Sequence, residues 1–421
     1  MESSASCVYL LCFGVFSLGV CVFFLFNAVM PTFGLSIADT SWLTSPLLPE
    51  ALVLTTIGAL ALILGSCVGA AWGAVRHQTV APARALQDRQ ARAASAVFGM
   101  FLMMGSVGAF FVVGFRSDGL HAFTGGYGNW EQATASSSLP YVYAILGLAL
   151  CMLAVGARSR SRRLGFAVFL VYALIALLVG LRSEVLFPAV AVLVMLGYRR
   201  RVLNGRRLII IVIIALCAIS GIRSFRGAGI AGAGPVGVPI SLSPQNGLAE
   251  LGFGLRPMVV VLQWQQAGQA ALDGGSYTDP VTRIAHHLLP FLSPDRPAYA
   301  DPDIISSTLL DTVGPIGFSP TAEGYDNFGE LGVVGFMLVV GLALSWIDRS
   351  PRNAASELYR AAVLIPLLIE VRNTFTPVPV EILLGLGIVY VVMLIGRSFP
   401  EAGGGAAHTS LGRNAASLPP R

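Results

Sequence analysis

Long apolar runs recur along most of this chain, and they constrain its fold more than any other feature. A helix needs about 20 apolar residues to cross the hydrocarbon core of a membrane. Backbone polar groups in lipid must bond within the protein, and continuous runs of this length satisfy them as helices. The predicted spans are residues 7–30, 51–75, 96–115, 139–157, 164–181, 185–198, 208–222, 328–347, 354–370 and 380–395. The sequence therefore predicts an all-α polytopic membrane protein, with about ten transmembrane helices and one large external loop containing short helices.

The composition agrees with a chain built for lipid. Hydrophobic residues make up 55% of the chain and charged residues only 12%, whereas soluble domains carry about 25% charged residues. The six cysteines all fall inside apolar runs, which argues against a disulfide framework and against a cysteine metal site. We also predict no metal, no cofactor and no nucleic-acid partner.

The basic residues, all of them arginine, set the expected orientation. With ten spans, 19 of the 27 arginines fall on one side, together with only 5 of the 22 acidic residues. Positive charge is concentrated on the cytoplasmic side of membrane proteins. We therefore expect a multi-pass protein of the inner or plasma membrane with both termini in the cytoplasm.

The spans divide the chain into four parts. Residues 1–222 form the N-terminal membrane helices, and residues 223–327 form the large external loop. Residues 328–396 form the C-terminal membrane helices, and the Gly-, Ala-, Ser- and Pro-rich residues 397–421 predict a disordered cytoplasmic tail. The external loop is the long stretch without a membrane-spanning apolar run, so we expect it to carry the functional site.

Eight arginines are predicted on the external side, against the usual charge bias. They are Arg116, Arg182, Arg223, Arg226, Arg256, Arg283, Arg296 and Arg372. Arg182 is the sharpest case, because it lies in a three-residue turn between two short spans, where a charge below the headgroups is costly unless it is paired or faces a wet cavity. An Arg182–Glu184 contact or snorkelling to the interface would explain it without a ligand. A guanidinium held for an anion would explain it functionally, because its planar fork of donors matches phosphate.

Three sequence features resemble the bacterial oligosaccharide repeat-unit polymerases, the Wzy type of O-antigen and capsule polymerase. They are Gly-Leu-Arg-Ser at 180–183, Gly-Phe-Gly-Leu-Arg-Pro at 252–257, and residues 322–332 with their Tyr-x-Asn-Phe-Gly core. The architecture of many spans and one dominant external loop is similar over nearly the whole chain. Two related explanations stay open: an O-antigen ligase-type transferase that passes a lipid-linked glycan to another acceptor, and a polysaccharide-related membrane transporter.

The resemblance implies glycosyl transfer on the outer membrane face. A hydroxyl of one lipid-linked repeat unit would attack the anomeric carbon of a growing glycan on undecaprenyl pyrophosphate. The implied partners are these lipid-linked oligosaccharides, membrane lipids and, as a further candidate, a chain-length regulator. No nucleotide or metal is required, because the pyrophosphate already activates the donor.

Site roles can then be assigned to particular residues. Arg182 and Arg256 are candidate catalytic cations; the expected pyrophosphate or sugar contacts are Arg223, Arg226, Arg372, Tyr325, Asp326 and Asn327. The attacking hydroxyl needs a base within hydrogen-bond reach, for which we rank Glu323 first and the pair His286 and His287 next. The His pair lacks zinc-helix spacing. For Asp326 the alternative is a helix cap at the junction.

Overall fold

The computed structural model describes residues 41–73, 84–124, 127–134, 137, 139–156, 159–199, 213, 217, 255–278, 280, 313, 317–349, 353–371 and 373–397. A 3-10 turn at Ser41–Thr44 precedes eleven α-helices in this described part. They are α1 Leu48–Gly73, α2 Arg84–Asp118, α3 His121–Thr124, α4 Tyr127–Thr134, α5 Leu139–Val155, α6 Arg160–Val179, α7 Ser183–Arg199, α8 Arg256–Gln266, α9 Pro320–Arg349, α10 Ala354–Glu370 and α11 Val378–Gly396. The described residues contain no strand, which confirms the predicted all-α fold.

Five of these helices are long and apolar enough to cross a membrane: α1, α2, α6, α9 and α11. Helix α5 and the first part of α7 are apolar but shorter. Large apolar side chains such as Leu60, Phe101 and Leu170 are exposed on the long helices, as expected of surfaces that face lipid. The chain is a multi-pass membrane protein.

Eight of the predicted spans coincide with described helices to within a few residues at most ends. The prediction for α10 matches both ends of the helix. The largest difference is at α2, which begins at Arg84 and not at residue 96, and the next largest is at α9, which begins at Pro320 and not at residue 328. Residues 7–30 and nearly all of residues 208–222 lie outside the described residues.

Helix α5 is the centre of the larger of two packed groups. It contacts α2, α6, α7, α10 and α11, and its residues from Leu146 to Val155 are all buried. Gly147 lets neighbouring helices approach closely, since a Cβ there would lie 2.9 Å from Ile365 of α10 and 3.4 Å from Pro188 of α7. Pro188 of α7 and Ile365 of α10 therefore lie at the same depth in the bundle.

The second group consists of α1 and α9, and α8 packs against the first residues of both helices. Small residues allow the two long helices to touch along their length. A Cβ on Gly65 would overlap the carbonyl of Leu338, and one on Gly69 would lie 2.7 Å from Ser345. Helices in membranes usually pack by close backbone approach through small residues. The hydrophobic effect does not drive their association, because the surrounding lipid is itself apolar.

The contacts also give the direction of each helix. One end of the bundle holds Asp88, the start of α10 and the end of α11, because Asp88 accepts the amide of Ala354 at 2.6 Å and Gly396 lies against Ala94. The other end holds the start of α9 and the turn after Glu370. We call these the Asp88 end and the Glu323 end.

Candidate functional site

The Glu323 end is built on the first two turns of α9. Ser319 caps this helix: its hydroxyl accepts the amide of Ala322 at 3.2 Å, and its carbonyl accepts the amide of Glu323 at 3.0 Å. Pro320 occupies the first helical position, where its missing N–H costs nothing. Ser319 therefore caps the part of α9 before the kink described below, whereas the cap role of Asp326 was predicted for the part that follows and stays a prediction.

The predicted start of the span, residue 328, coincides with a kink that divides α9 into two helical parts. Phe328 and Gly329 leave the helical region, and Gly329 has φ 62° and ψ −145°, a conformation that is essentially restricted to glycine. A kink interrupts the helical hydrogen bonds and leaves carbonyls without helical donors. Two groups of the preceding segment supply donors: the Gln265 side chain bonds the Tyr325 carbonyl at 3.5 Å, and the Leu272 amide bonds the Asp326 carbonyl at 2.9 Å.

Glu323 is completely buried, with 0% of its surface exposed. One carboxyl oxygen, Oε2, accepts the backbone N–H of Phe375 at 2.7 Å. The other oxygen, Oε1, has no hydrogen-bond partner in the described structure. The turn between α10 and α11 therefore holds one oxygen of this carboxyl, and the hydroxyl of Ser276 also lies within hydrogen-bonding reach of the carboxyl.

Asn327 connects the same part of α9 to the loop segment before it. Its side-chain amide donates to the hydroxyl of Ser276 at 2.8 Å and to the carbonyl of Glu323 at 2.7 Å. Asn327 and Asp326 are both buried, whereas Tyr325 is half-buried against the α1–α8 packing. Asn327 thus contributes to the positioning of the site by joining two segments.

Arg182 lies at the start of α7 and is buried, with 5% of its surface exposed. Gly180 ends α6 in the left-handed conformation, with φ 100°, and the carbonyl of Arg182 accepts the amides of Val185 and Leu186. Pro188 and Ile365 lie at one depth, as shown above. At 1.5 Å rise per residue, Arg182 and Glu370 both lie about 8 Å beyond that depth. Arg182 is therefore at the Glu323 end of the bundle.

Arg256 is half-buried at the first position of α8, and the six residues that follow it are buried. This helix packs against the beginnings of α1 and α9, so it forms part of the protein core at the Glu323 end. Five predicted site residues, Arg223, Arg226, His286, His287 and Arg372, lie outside the described residues.

Two residues at the Glu323 end were missed by sequence reasoning, Glu370 and Tyr277. Glu370 has 0% exposure, and neither of its carboxyl oxygens has a partner in the described structure. Burial, and then the nearby carboxyls of Glu323 and Glu370, raise the pKa of Tyr277 well above its usual value, so its phenol keeps its proton. A signal for Glu370 was available, because it is an acidic residue at the end of an apolar run, the same position that singled out Arg182.

The arrangement offers a held carboxyl, a protonated phenol and a buried guanidinium at one end of a membrane bundle. Such a set can bind hydroxyl groups and anions and can accept a proton. Within the described residues no group of three or more His, Cys, Asp or Glu side chains is placed to hold a metal ion.

Comparisons with known proteins agree with this architecture. The family model for O-antigen polysaccharide polymerase Wzy matches residues 3–400. Protein CapE of Staphylococcus aureus is 25% identical over 287 residues, which cover 66% of this chain and 62% of that protein. The match thus spans a little under two thirds of the length of that relative. No solved structure matches the chain. Because the family model covers nearly the whole sequence, this chain belongs to the O-antigen polysaccharide polymerase Wzy family.

Proposed function

We propose that this protein polymerises oligosaccharide repeat units carried on undecaprenyl pyrophosphate, by glycosyl transfer on the outer face of the membrane. The product would be an O-antigen, a capsular polysaccharide or an exopolysaccharide. The family match supports the reaction class. The observation that carries the proposal is the enclosed carboxyl of Glu323, held by the Phe375 amide with one oxygen unbound.

In the proposed reaction a hydroxyl of the incoming repeat unit attacks the anomeric carbon of the growing chain. The new C–O bond forms as the bond from that carbon to the lipid pyrophosphate breaks, and the pyrophosphate leaves with the electron pair. Glu323 accepts the proton of the attacking hydroxyl through Oε1. A positioned base contributes roughly 10²–10⁴-fold to such a step.

The leaving pyrophosphate needs positive charge near it, because charge accumulates on its oxygens as the bond breaks. Arg182 and Arg256 are the described candidates, and their location at the Glu323 end supports this role. Arg223, Arg226 and Arg372 are proposed to contact the pyrophosphates, while Tyr325, Asp326 and Asn327 are proposed to contact or position the sugars. The pair His286 and His287 is proposed as the next candidate base after Glu323.

The proposal is tested by reconstituting the purified protein in lipid vesicles. The probe is the lipid-linked repeat unit extracted from a strain that lacks this chain. We expect a ladder of products, each one repeat unit longer than the last. A protein that instead transfers a single glycan to an added lipid A core acts as a ligase, and that result would overturn the polymerase assignment. A protein that only moves the repeat unit across the vesicle membrane is a transporter, with the same consequence.

The orientation is tested separately with reporter fusions. Fusions after Arg92, Arg163, Arg207 and Arg360 are expected to report the cytoplasm, and a fusion at Asp273 is expected to report the external side. A cytoplasmic signal at Asp273 would place the Glu323 end on the wrong side of the membrane for lipid-linked substrates on the outer face.

A further inference from the structure

Several buried polar atoms at the Glu323 end have no hydrogen-bond partner among the described residues, and four of them belong to three side chains, those of Glu323, Glu370 and Tyr277. These four are Oε1 of Glu323, both carboxyl oxygens of Glu370 and the phenolic oxygen of Tyr277. A buried polar atom without a partner is destabilising, and most buried polar atoms in folded proteins are bonded. Several such atoms in one place indicate a site that a ligand completes.

The three side chains lie close to one another. The carboxyls of Glu323 and Glu370 interact electrostatically, and Tyr277 interacts with both of them. Phe375 joins the group, since its amide binds Glu323 and its ring packs against the ring of Tyr277 with centroids 5.3 Å apart. The unpartnered atoms therefore belong to one cluster, although their residues are far apart in sequence.

The chemistry of the cluster selects a ligand with hydroxyl groups. A carboxylate accepts hydrogen bonds, a phenol both donates and accepts, and a sugar hydroxyl can do either. An aromatic ring is also available beside them: Phe328 stacks on Tyr277 with centroids 6.2 Å apart and is 53% exposed. A pyranose has both features that this surface can recognise, polar edges and an apolar face.

We propose that Glu370 and Tyr277 bind the terminal sugar of the incoming repeat unit, next to the hydroxyl that Glu323 deprotonates. This inference rests on the proposed function and assigns an acceptor-sugar subsite to it. Glu370 and Tyr277 bond hydroxyls adjacent to the attacking one, and Phe328 covers the apolar face of the ring. Because both carboxyls are enclosed, sugar entry requires the segment from Leu272 to Ser276 to release its contacts with Asp326 and Asn327.

The test separates acceptor binding from donor binding in the reconstituted enzyme. Acceptor kinetics are measured by varying the lipid-linked repeat unit at a fixed, saturating level of isolated lipid-linked oligomer, and donor kinetics by the reverse. The variants are Glu370→Gln and Tyr277→Phe, which remove one hydrogen-bonding function each with little change of shape. We expect the acceptor KM to rise about tenfold in each, the loss of about one hydrogen bond, while the donor KM and kcat change less than about twofold.

Glu381→Gln is the matched control. Glu381 is also buried without a carboxyl partner in the described structure, but it lines a small cavity with Ile365 and Pro366, and neither Tyr277 nor Glu370 lines that cavity. Its acceptor KM is expected to match that of the unmodified protein.

Three results would overturn the inference. The first is a normal acceptor KM in both Glu370→Gln and Tyr277→Phe. The second is a loss of kcat at unchanged KM, because that pattern indicates a structural or chemical role. The third is an equal rise for donor and acceptor. If Glu370→Gln fails to fold, the acceptor KM of Tyr277→Phe still tests the inference. In each case, product ladders from the unmodified protein would still support the proposed polymerase function. The absence of such ladders would contradict the proposed function itself.

Discussion

The two ends of α10 differ in how their polar groups are satisfied. At its start, Asn353 caps the helix by accepting the Ser356 amide at 2.8 Å, and Asp88 accepts the Ala354 amide at 2.6 Å. The second oxygen of Asp88 pairs with Arg92 at 2.8 Å. At its other end, both carboxyl oxygens of Glu370 are buried without a partner in the described structure.

The difference indicates what each end is for. Polar groups that stabilise a fold are satisfied by other groups of the fold, as around Asp88. Polar groups that bind a ligand are satisfied only in the complex, and the free protein bears the cost of their burial, about 1–3 kcal/mol for each. Substitutions at the Glu323 end should therefore change activity more than stability, and substitutions at the Asp88 end the reverse.

The largest expected effect is that of Glu323→Gln. The amide can still accept the Phe375 N–H but cannot take a proton, so turnover should fall by roughly 10²–10⁴-fold while the protein remains folded. The measurement is ladder formation per mole of purified protein in vesicles. Normal ladders from Glu323→Gln together with inactive His286→Ala or His287→Ala would transfer the role of base to the histidine pair.

Arg182→Ala should lower polymer formation by roughly 10²–10³-fold, the cost of losing one preorganised donor to developing charge. Arg182→Lys should recover little of this, because an ammonium cannot form the planar two-pronged contact of a guanidinium. Arg92→Lys, at the Asp88 end, is the control and should retain activity. Product lengths and rates that are normal in Arg182→Ala would refute the anion-binding role.

Gly329→Ala tests whether the kink positions Glu323. The backbone conformation of Gly329 is unfavourable for alanine by about 1–3 kcal/mol, so the variant should have a lower thermal midpoint and reduced turnover. Gly335→Ala is the matched control on the same helix, since a Cβ there meets no atom within 4 Å, and it should be neutral or slightly stabilising. Equal behaviour of the two variants would show that the kink is dispensable.

The smallest effect on activity is expected for Asp88→Ala. Loss of the bond to the Ala354 amide should cost about 1 kcal/mol of stability, and loss of the partly exposed pair with Arg92 should add less than that. Asp88→Asn keeps an acceptor oxygen and should lose less. The thermal midpoint in detergent measures the change, and turnover of the folded protein should be unaltered. A large loss of turnover without destabilisation would contradict the contrast between the two ends.

The amino-acid sequence by itself determined the membrane architecture. Bilayer thickness sets the length of an apolar span, so the spans can be read from hydropathy without tertiary information. The bounds of α10 and the approximate bounds of five other helices, α1, α5, α6, α7 and α11, follow from this alone. The tight turn around Arg182 was also predictable, because a charged residue between two short apolar runs is expected in the turn that joins them.

Hydropathy predicted the part of α9 after the kink and missed the helical part before it, for a physical reason. Glu323, Asp326 and Asn327 are polar and were therefore placed in the loop, yet they lie in a helix whose polar groups are covered by other segments. A local signal for the true start was present, namely a serine cap followed by proline at 319–320.

The grouping at the Glu323 end was decided only by tertiary structure. Glu323 lies 52 residues from Phe375 in sequence, and its carboxyl meets the Phe375 amide only because the turn after α10 folds against the start of α9. Glu370 and Tyr277 join them through the packing of separate helices and loop segments. Hydropathy depends on each residue and its neighbours along the chain, whereas a site of this kind depends on which helix ends are packed together.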